Sequence, residues 1–199
     1  LTALTLDGKV LWQVGKPGER TTLLTYDLPF QIHDIDGDGR AEVVLIRDFQ
    51  LQILDGRTGT LLRSIPTPLQ PLTKGYVYDR VNGDAIAFVN LDGNPGRHQI
   101  LVKDRYTTFW IYNNQLDLLW QGKGQLGHFP YPVDMDGDGR DEIAIGYALW
   151  DHTGRQLWSH DAELRDHADG IVMENLSPDP KAPFRACAGG SDEGFLMFG

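Results

Sequence analysis

The residues best able to do chemistry come in a fixed pattern: Asp34, Asp36 and Asp38 alternate through a glycine-punctuated turn that ends at Glu42. The same set returns at Asp134, Asp136, Asp138 and Glu142. Hard oxygens at alternate positions suit Ca²⁺, and Gly37 and Gly39 are free to take the positive φ that turns the carboxylates toward one point. The backbone carbonyls of Arg40 and Arg140 would complete each shell, much as in an EF-hand loop without its helices. Turn formation alone asks for Asp-Gly pairs, not for three aspartates in alternation followed by a glutamate, twice in one chain. Calcium is therefore the expected cofactor of both loops, contributing stability by mass action rather than by catalysis.

Two eroded copies accompany the intact ones. Asn90, Asp92 and Asn94 carry less charge, and Pro95 adds a residue before Gln99; the copy at Asn175 is more eroded still and is expected to be empty. The four copies begin at Asp34, Asn90, Asp134 and Asn175, offsets of 56, 44 and 41 residues. Such spacing matches the roughly 40 to 50 residues of a propeller blade. A second motif keeps step with the first. ALTLDGKVLWQ, QILDGRTGTLLR, WIYNNQLDLLW and ALWDHTGRQLW each read as strand, polar turn and strand, the chemistry of a hairpin.

The elements that must position the loops follow. Each repeat divides into four short strands: an A strand entering the Asp-rich loop, a B strand such as AEVVLI, and a C to D hairpin. Alternation outweighs any 3.6-residue period, and Gly and Pro recur too often for ordinary helices. The predicted fold is all-β: a β-propeller of four-stranded blades, about four and a half of them, forming a single domain over residues 1–199. The parts are a part-blade at 1–20, blades at 28–67, 83–123 and 128–161, and a part-blade at 168–199. The remaining blades of a seven- or eight-bladed ring are the expected partners of this segment.

In such a topology the A to B and C to D loops emerge on one face, and the B to C loops and linkers on the other. The second face collects Arg47 and Asp48; Lys103, Asp104, Arg105 and Tyr106; Tyr147; and Ser191, Asp192 and Glu193. The linkers add His128 with Tyr131, and Asp166, His167 and Asp169. His128, His167, Arg105, Tyr147 and Lys103 are the catalytic candidates, as bases, acids or carboxylate partners, with individual roles open. For either histidine alone, a hydrogen-bonded structural role is an equal reading, and Tyr131, between two prolines, is expected to pack.

Lys plus Arg number 18 against 28 Asp plus Glu, a net charge of −10 that disfavours nucleic acid and anionic lipid. No apolar stretch approaches the roughly 18 residues of a membrane span. The opening LTALTLDGKV reads as a strand rather than a signal peptide. A single cysteine, Cys187, rules out an internal disulfide and is expected to be a buried thiol.

The phrases KDRYTTFWIYNNQLDLLWQ, GHFPYPVDMDGDGRDEIAIGY and DHADGIV resemble the calcium-binding propellers of rhamnogalacturonan lyases, polysaccharide lyase family eleven, and related uronate-cleaving propellers. The resemblance covers most of the chain from His33 onward. Its most specific part, the DxDGDG loop, is shared with FG-GAP and VCBS-type repeats, integrin-type domains that are not enzymes. The resemblance implies an acidic polysaccharide as partner, an extracellular, periplasmic or cell-surface setting, and β-elimination at a bond 4-linked to a uronic acid. Arg105 or Lys103 would then pair with the uronate carboxylate, and His128, His167 or Tyr147 would serve as base or acid. The alternative is a non-catalytic FG-GAP-type propeller that binds carbohydrate or a protein partner.

Overall fold

A computed structural model describes residues 1–15, 29–72, 77–179, 181–190, 192 and 194–198. Part of the predicted 1–20 part-blade, together with Ser191 and Glu193, therefore lies outside the described residues. Among those described there is no helix, and none that is long and apolar enough to cross a membrane.

Strands follow one another in antiparallel sheets. A hairpin of β1 (Thr2–Leu4) and β2 (Val10–Gln13) precedes three four-stranded sheets. These are β3 (Phe30–His33), β4 (Glu42–Arg47), β5 (Gln50–Asp55) and β6 (Leu61–Pro66); then β7 (Ala85–Val89), β8 (Gln99–Lys103), β9 (Thr108–Tyr112) and β10 (Leu118–Lys123); then β11 (Tyr131–Val133), β12 (Glu142–Ile145), β13 (Ala148–Trp150) and β14 (Gln156–Ser159). A three-stranded sheet closes the order, with β15 (Ala168–Glu174), β16 (Arg185–Gly190) and β17 (Gly194–Phe198). In every sheet neighbours in sequence are neighbours in space.

The third strand is joined to the fourth by turns whose first residue supplies its own acceptor. Asp55 Oδ1 accepts the Thr58 N–H at 2.7 Å, Asn113 Oδ1 accepts those of Gln115 and Asp117 at 2.9 and 2.8 Å, and Asp151 Oδ1 accepts those of Thr153 and Arg155 at 2.9 and 3.0 Å. Such side-chain mimicry of a backbone bond is why Asp and Asn begin turns.

The second strands of the three four-stranded sheets are apolar on both faces, because each of these sheets packs between two others. Val44, Ile46 and Ile53 meet Ile86, Ile100 and Trp110 on one side; Val43, Leu45 and Leu54 meet Trp12 on the other. Leu101, Phe109 and Ile111 then pack on Ile143 and Ile145, while Ala144 and Leu149 pack on Ile171, Met173 and Ala188. Adjacent residues of one strand thus serve different cores, as period-2 pleating requires. Cys187 points to the outer face of the last sheet and is only half-buried, because its neighbours Ala186 and Ala188 take the core side.

The first strands lie side by side in the order β3, β7, β11, β15. The first three of them, with adjoining residues, line a groove of ≈ 620 Å³ that includes Phe30, His33, Asp84, Phe88, Phe129 and Asp141. Its wall includes His33, His98 and Asp141 beside the Asp-rich loops, and Asp84, Phe129 and Pro130 from the linkers.

Candidate functional site

At the linker end, three sheets contribute short segments. Asp84 immediately precedes β7, Lys103 ends β8, Arg105 and Tyr106 follow it, His128 precedes β11, and Asp166 to Asp169 lead into β15. The segments are tied together by backbone: His128 N–H donates to the Ala168 carbonyl at 3.1 Å, and Leu126 N–H to the Tyr106 carbonyl at 2.9 Å.

Each histidine has a carboxylate behind it. His128 Nδ1 lies 3.1 Å from Asp84 Oδ2, and His167 Nδ1 lies 2.8 Å from Asp166 Oδ1. Asp166 is itself fixed by the Asp192 N–H at 3.0 Å. That bond and the one from the His167 N–H hold the Asp166 carboxyl below its ordinary range. With Nδ1 engaged in this way, Nε2 is the second nitrogen of each ring, and in His167 it faces Asp169. His167 Nε2 lies 3.5 Å from Asp169 Oδ1, and the two rings stand edge to face with centroids 5.1 Å apart. Donor atoms of His128, His167 and Asp169 all fall within 4.8 Å of one another. The Tyr106 ring covers both histidines, at 4.6 Å from His167 and 5.7 Å from His128, and the Arg105 guanidinium stands 5.3 Å from the Tyr106 ring.

Two sequence candidates take other parts. Lys103 is fully buried as the last residue of β8, not exposed in the loop that follows. Its Nζ donates to Asp84 Oδ2 at 2.8 Å and to the Arg105 carbonyl at 3.1 Å. Burial pushes its pKa down, and the bond to Asp84 opposes that push. Lys103 therefore supports Asp84, and through it His128, without meeting the groove. Tyr147 is also fully buried: it packs in the core beneath the last sheet, its hydroxyl end against Gly190 and its ring 6.4 Å from Phe198. It is removed from the set of candidate acids and bases, because the turn after β12 is covered by β15 to β17. Arg47, expected on the same face, pairs with Asp48 at 3.1 Å two sheets away.

The opposite end carries the Asp-rich loops. Asp34 Oδ1 accepts the Gly37 N–H at 2.8 Å and Asp34 Oδ2 the Gly39 N–H at 2.8 Å; Asp134 makes the same bonds to Gly137 and Gly139 at 2.8 and 3.0 Å. Gly37 and Gly39 take φ of 77° and 85°, as anticipated from their places in the turn. Oxygens of Asp34, Asp36 and Glu42 lie within 4.8 Å of one another, as do those of Asp134, Asp136 and Glu142. Burial and the surrounding aspartates raise the carboxyls of Glu42 and Glu142, while the N–H groups of Ile35 and Met135 partly offset this. An all-oxygen donor set in which like charges crowd one glutamate fits a hard divalent cation.

One feature was not legible beforehand: His33 Nε2 and His98 Nδ1 meet at 3.0 Å beside Asp141 on the groove wall. Burial and the proximity of His98 lower the His33 pKa. The two residues are 65 apart in sequence, and only the packing of β3 against β7 joins them.

No family profile matches the chain. Among characterised proteins it is similar to the rhamnogalacturonan exolyase YesX of Bacillus subtilis, 25% identical across 91% of this chain and 37% of that protein. The rhamnogalacturonan endolyase YesW of the same organism is 26% identical across 89% of this chain and 36% of that protein. The chain thus spans a little over a third of the length of these relatives. In fold it is similar to the solved structure of a rhamnogalacturonan lyase from Bacillus licheniformis, with TM-score 0.76, 22% identity, and coverage of 98% of this chain and 41% of that one.

Proposed function

We propose that this chain is part of a polysaccharide lyase that cleaves a uronate-containing polymer by β-elimination, with its reacting centre at His128, His167 and Asp169. The observation that carries the reading is the pair of imidazoles, each with Nδ1 held by its own carboxylate, which gather with Asp169 within 4.8 Å beside Asp84, a residue of the open groove's wall. Similarity to rhamnogalacturonan lyases supports it independently.

The chemistry needs three things of the protein. A neutral Nε2 takes the proton from C5 of the uronate; the electron pair left behind forms the C4–C5 double bond; and the bond from C4 to the glycosidic oxygen breaks, the departing oxygen gaining a proton. Negative charge developing on the uronate carboxylate must be met by a preorganised cation or donors. Arg105, beside Tyr106 at the same rim, supplies a guanidinium of the right type. Asp84 and Asp166 orient the imidazoles and stabilise whichever becomes protonated, as Asp does in a triad.

The donor set of His128, His167 and Asp169 favours a second arrangement, in which those atoms hold a divalent cation. Bound there, such an ion would neutralise the substrate carboxylate and raise the acidity of the C5 proton. In both arrangements Asp84 and Asp166 do the same work of orientation.

The sheets are read as blades of a larger ring. The apolar outer faces, with Phe30 and Ile32 at one end and Val172, Phe195 and Met197 at the other, offer what neighbouring blades would cover. The loops at residues 34–42 and 134–142 are assigned to Ca²⁺ as structural staples, and their distance from the histidine end keeps them out of the chemistry.

Incubation of the purified protein with rhamnogalacturonan and with other pectic polymers tests the reading. A rise in ultraviolet absorbance from an unsaturated uronate is expected; binding to these polymers without any such product would instead mark a non-catalytic carbohydrate-binding propeller. EDTA separates the two arrangements when read beside thermal unfolding: turnover that survives chelation assigns the base to an imidazole, and turnover lost and restored with the metal at an unchanged thermal midpoint assigns a cation to the histidines, whereas loss together with a lowered midpoint reports the Asp-rich loops.

A further inference from the structure

The loop between β7 and β8 keeps the frame of its two neighbours. Leu91 N–H donates to Gln99 Oε1 at 2.7 Å, just as Ile35 and Met135 N–H donate to Glu42 and Glu142 at 3.1 and 3.0 Å. Asn94 N–H donates to Asp92 Oδ1 at 3.0 Å, matching Asp38 on Asp36 at 3.3 Å and Asp138 on Asp136 at 3.1 Å. Gln99 and Asp92 therefore occupy the places of a glutamate and an aspartate that would face a cation.

Within that frame two side chains behave differently. Asn90, in the place of Asp34 and Asp134, turns out of its own loop, and its Nδ2 donates to the Gly139 carbonyl of the next loop at 3.1 Å. Arg97 turns inward: its Nη2 donates to Asp92 Oδ2 at 2.8 Å, and Gln99 Nε2 reaches the same oxygen at 3.3 Å. Arg97 is the counterpart of Arg40 and Arg140, displaced by the single residue Pro95. Without that insertion Arg140 instead extends to His152 at 3.4 Å and comes no nearer than 3.7 Å to Asp138.

Charge agrees with geometry. The loop at 34–42 carries Asp34, Asp36, Asp38 and Glu42 against Arg40; the loop at 134–142 carries those types plus Asp141 against Arg140; the middle loop sets Asp92 alone against Arg97. An excess of carboxylate in the outer loops calls for a doubly charged ion, whereas the middle loop is already balanced.

We propose that the guanidinium of Arg97 takes the place of the divalent cation in the middle loop, making it a calcium-independent staple between two calcium-dependent ones. The proposal rests on the calcium reading of the outer loops. Its consequence is mechanical. The middle loop is bonded on both sides, with His98 N–H donating to the Ile35 carbonyl at 3.3 Å, Asp141 N–H to the Asn90 carbonyl at 2.7 Å, and Asn90 N–H to Asp141 Oδ2 at 2.7 Å. A fixed charge there keeps the row of loops joined when calcium is scarce.

Bound Ca²⁺ is counted by native mass spectrometry in the full chain and in single variants. Asp36→Asn and Asp136→Asn are each expected to lose one ion, and these two counts test the calcium reading by themselves. Asp92→Asn is expected to lose none; loss of an ion in that variant overturns the proposal. A second measurement does not depend on the outer loops. Arg97→Gln should lower Tm by about 2–4 °C equally in EDTA and in excess Ca²⁺. A loss that excess Ca²⁺ reverses, or no loss in either condition, contradicts the assignment of Arg97.

Discussion

Lys103 places an ammonium in the interior beside one carboxylate, and that carboxylate also orients His128. Removing it leaves an uncompensated buried charge, so Asp84→Ala is expected to cost about 3–5 kcal/mol in urea unfolding. An unchanged midpoint would mean that another group neutralises Lys103. Asp151 makes a different prediction. Burial works against its charged form, but bonds from Thr153 and Arg155 outweigh this and hold its pKa down at about 2. A folded-state pKa below the unfolded one, near 3.9, contributes stability that is present above pH 4 and lost as pH falls toward 2. Asp151→Asn should therefore flatten the fall in stability between about pH 4 and 2, measured by thermal unfolding across that window, and leave its shape above pH 5 unchanged. A fall of undiminished steepness in the variant would assign the acid sensitivity to other carboxylates.

Strands and hairpins were the most legible elements, because their signals are local. Asp55, Asn113 and Asp151 each begin a polar turn between apolar runs, and each does so through bonds within four residues. The loops of alternating Asp and Gly were legible for the same reason. Lys103 and Tyr147 were not: each sits where a strand meets a turn, and its burial depends on a sheet distant in sequence. Asp104, one residue past Lys103, is the true start of the turn, its Oδ1 accepting the N–H groups of Tyr106, Thr107 and Thr108. Sheets are locked to each other by a contact that recurs. Trp12 covers the turn glycine Gly59, and Trp120 covers Gly154, which has φ of 87° and leaves only 2.9 Å between an added Cβ and the indole. Gly154→Ala combines the strain of positive φ with that clash and should cost about 2–4 kcal/mol by chemical denaturation. A cost below about 1 kcal/mol would show that Trp120 moves aside freely.

At the scale of the molecule, the proposed reacting centre depends on bringing sequence-distant segments to one rim. His128 and His167 stand 39 residues apart in the chain, and their separation in space is set by the pairing of β11 beside β15. Both residue types were visible in the sequence; their carboxylate partners Asp84 and Asp166 became visible only through the fold. The net charge of −10 is unfavourable for an anionic polymer as a whole. Arg105 supplies positive charge at the proposed reacting rim, and a divalent cation in each of the two Asp-rich loops would offset part of the acidic excess. The most direct test of the account compares turnover and binding for wild type, His128→Gln and His167→Gln on the polymer that gives an unsaturated product. Turnover should fall by about 10²-fold or more in each variant while the affinity for the polymer and the thermal midpoint stay near the wild-type values. Full turnover in both variants would contradict the assignment of the reacting centre to this rim.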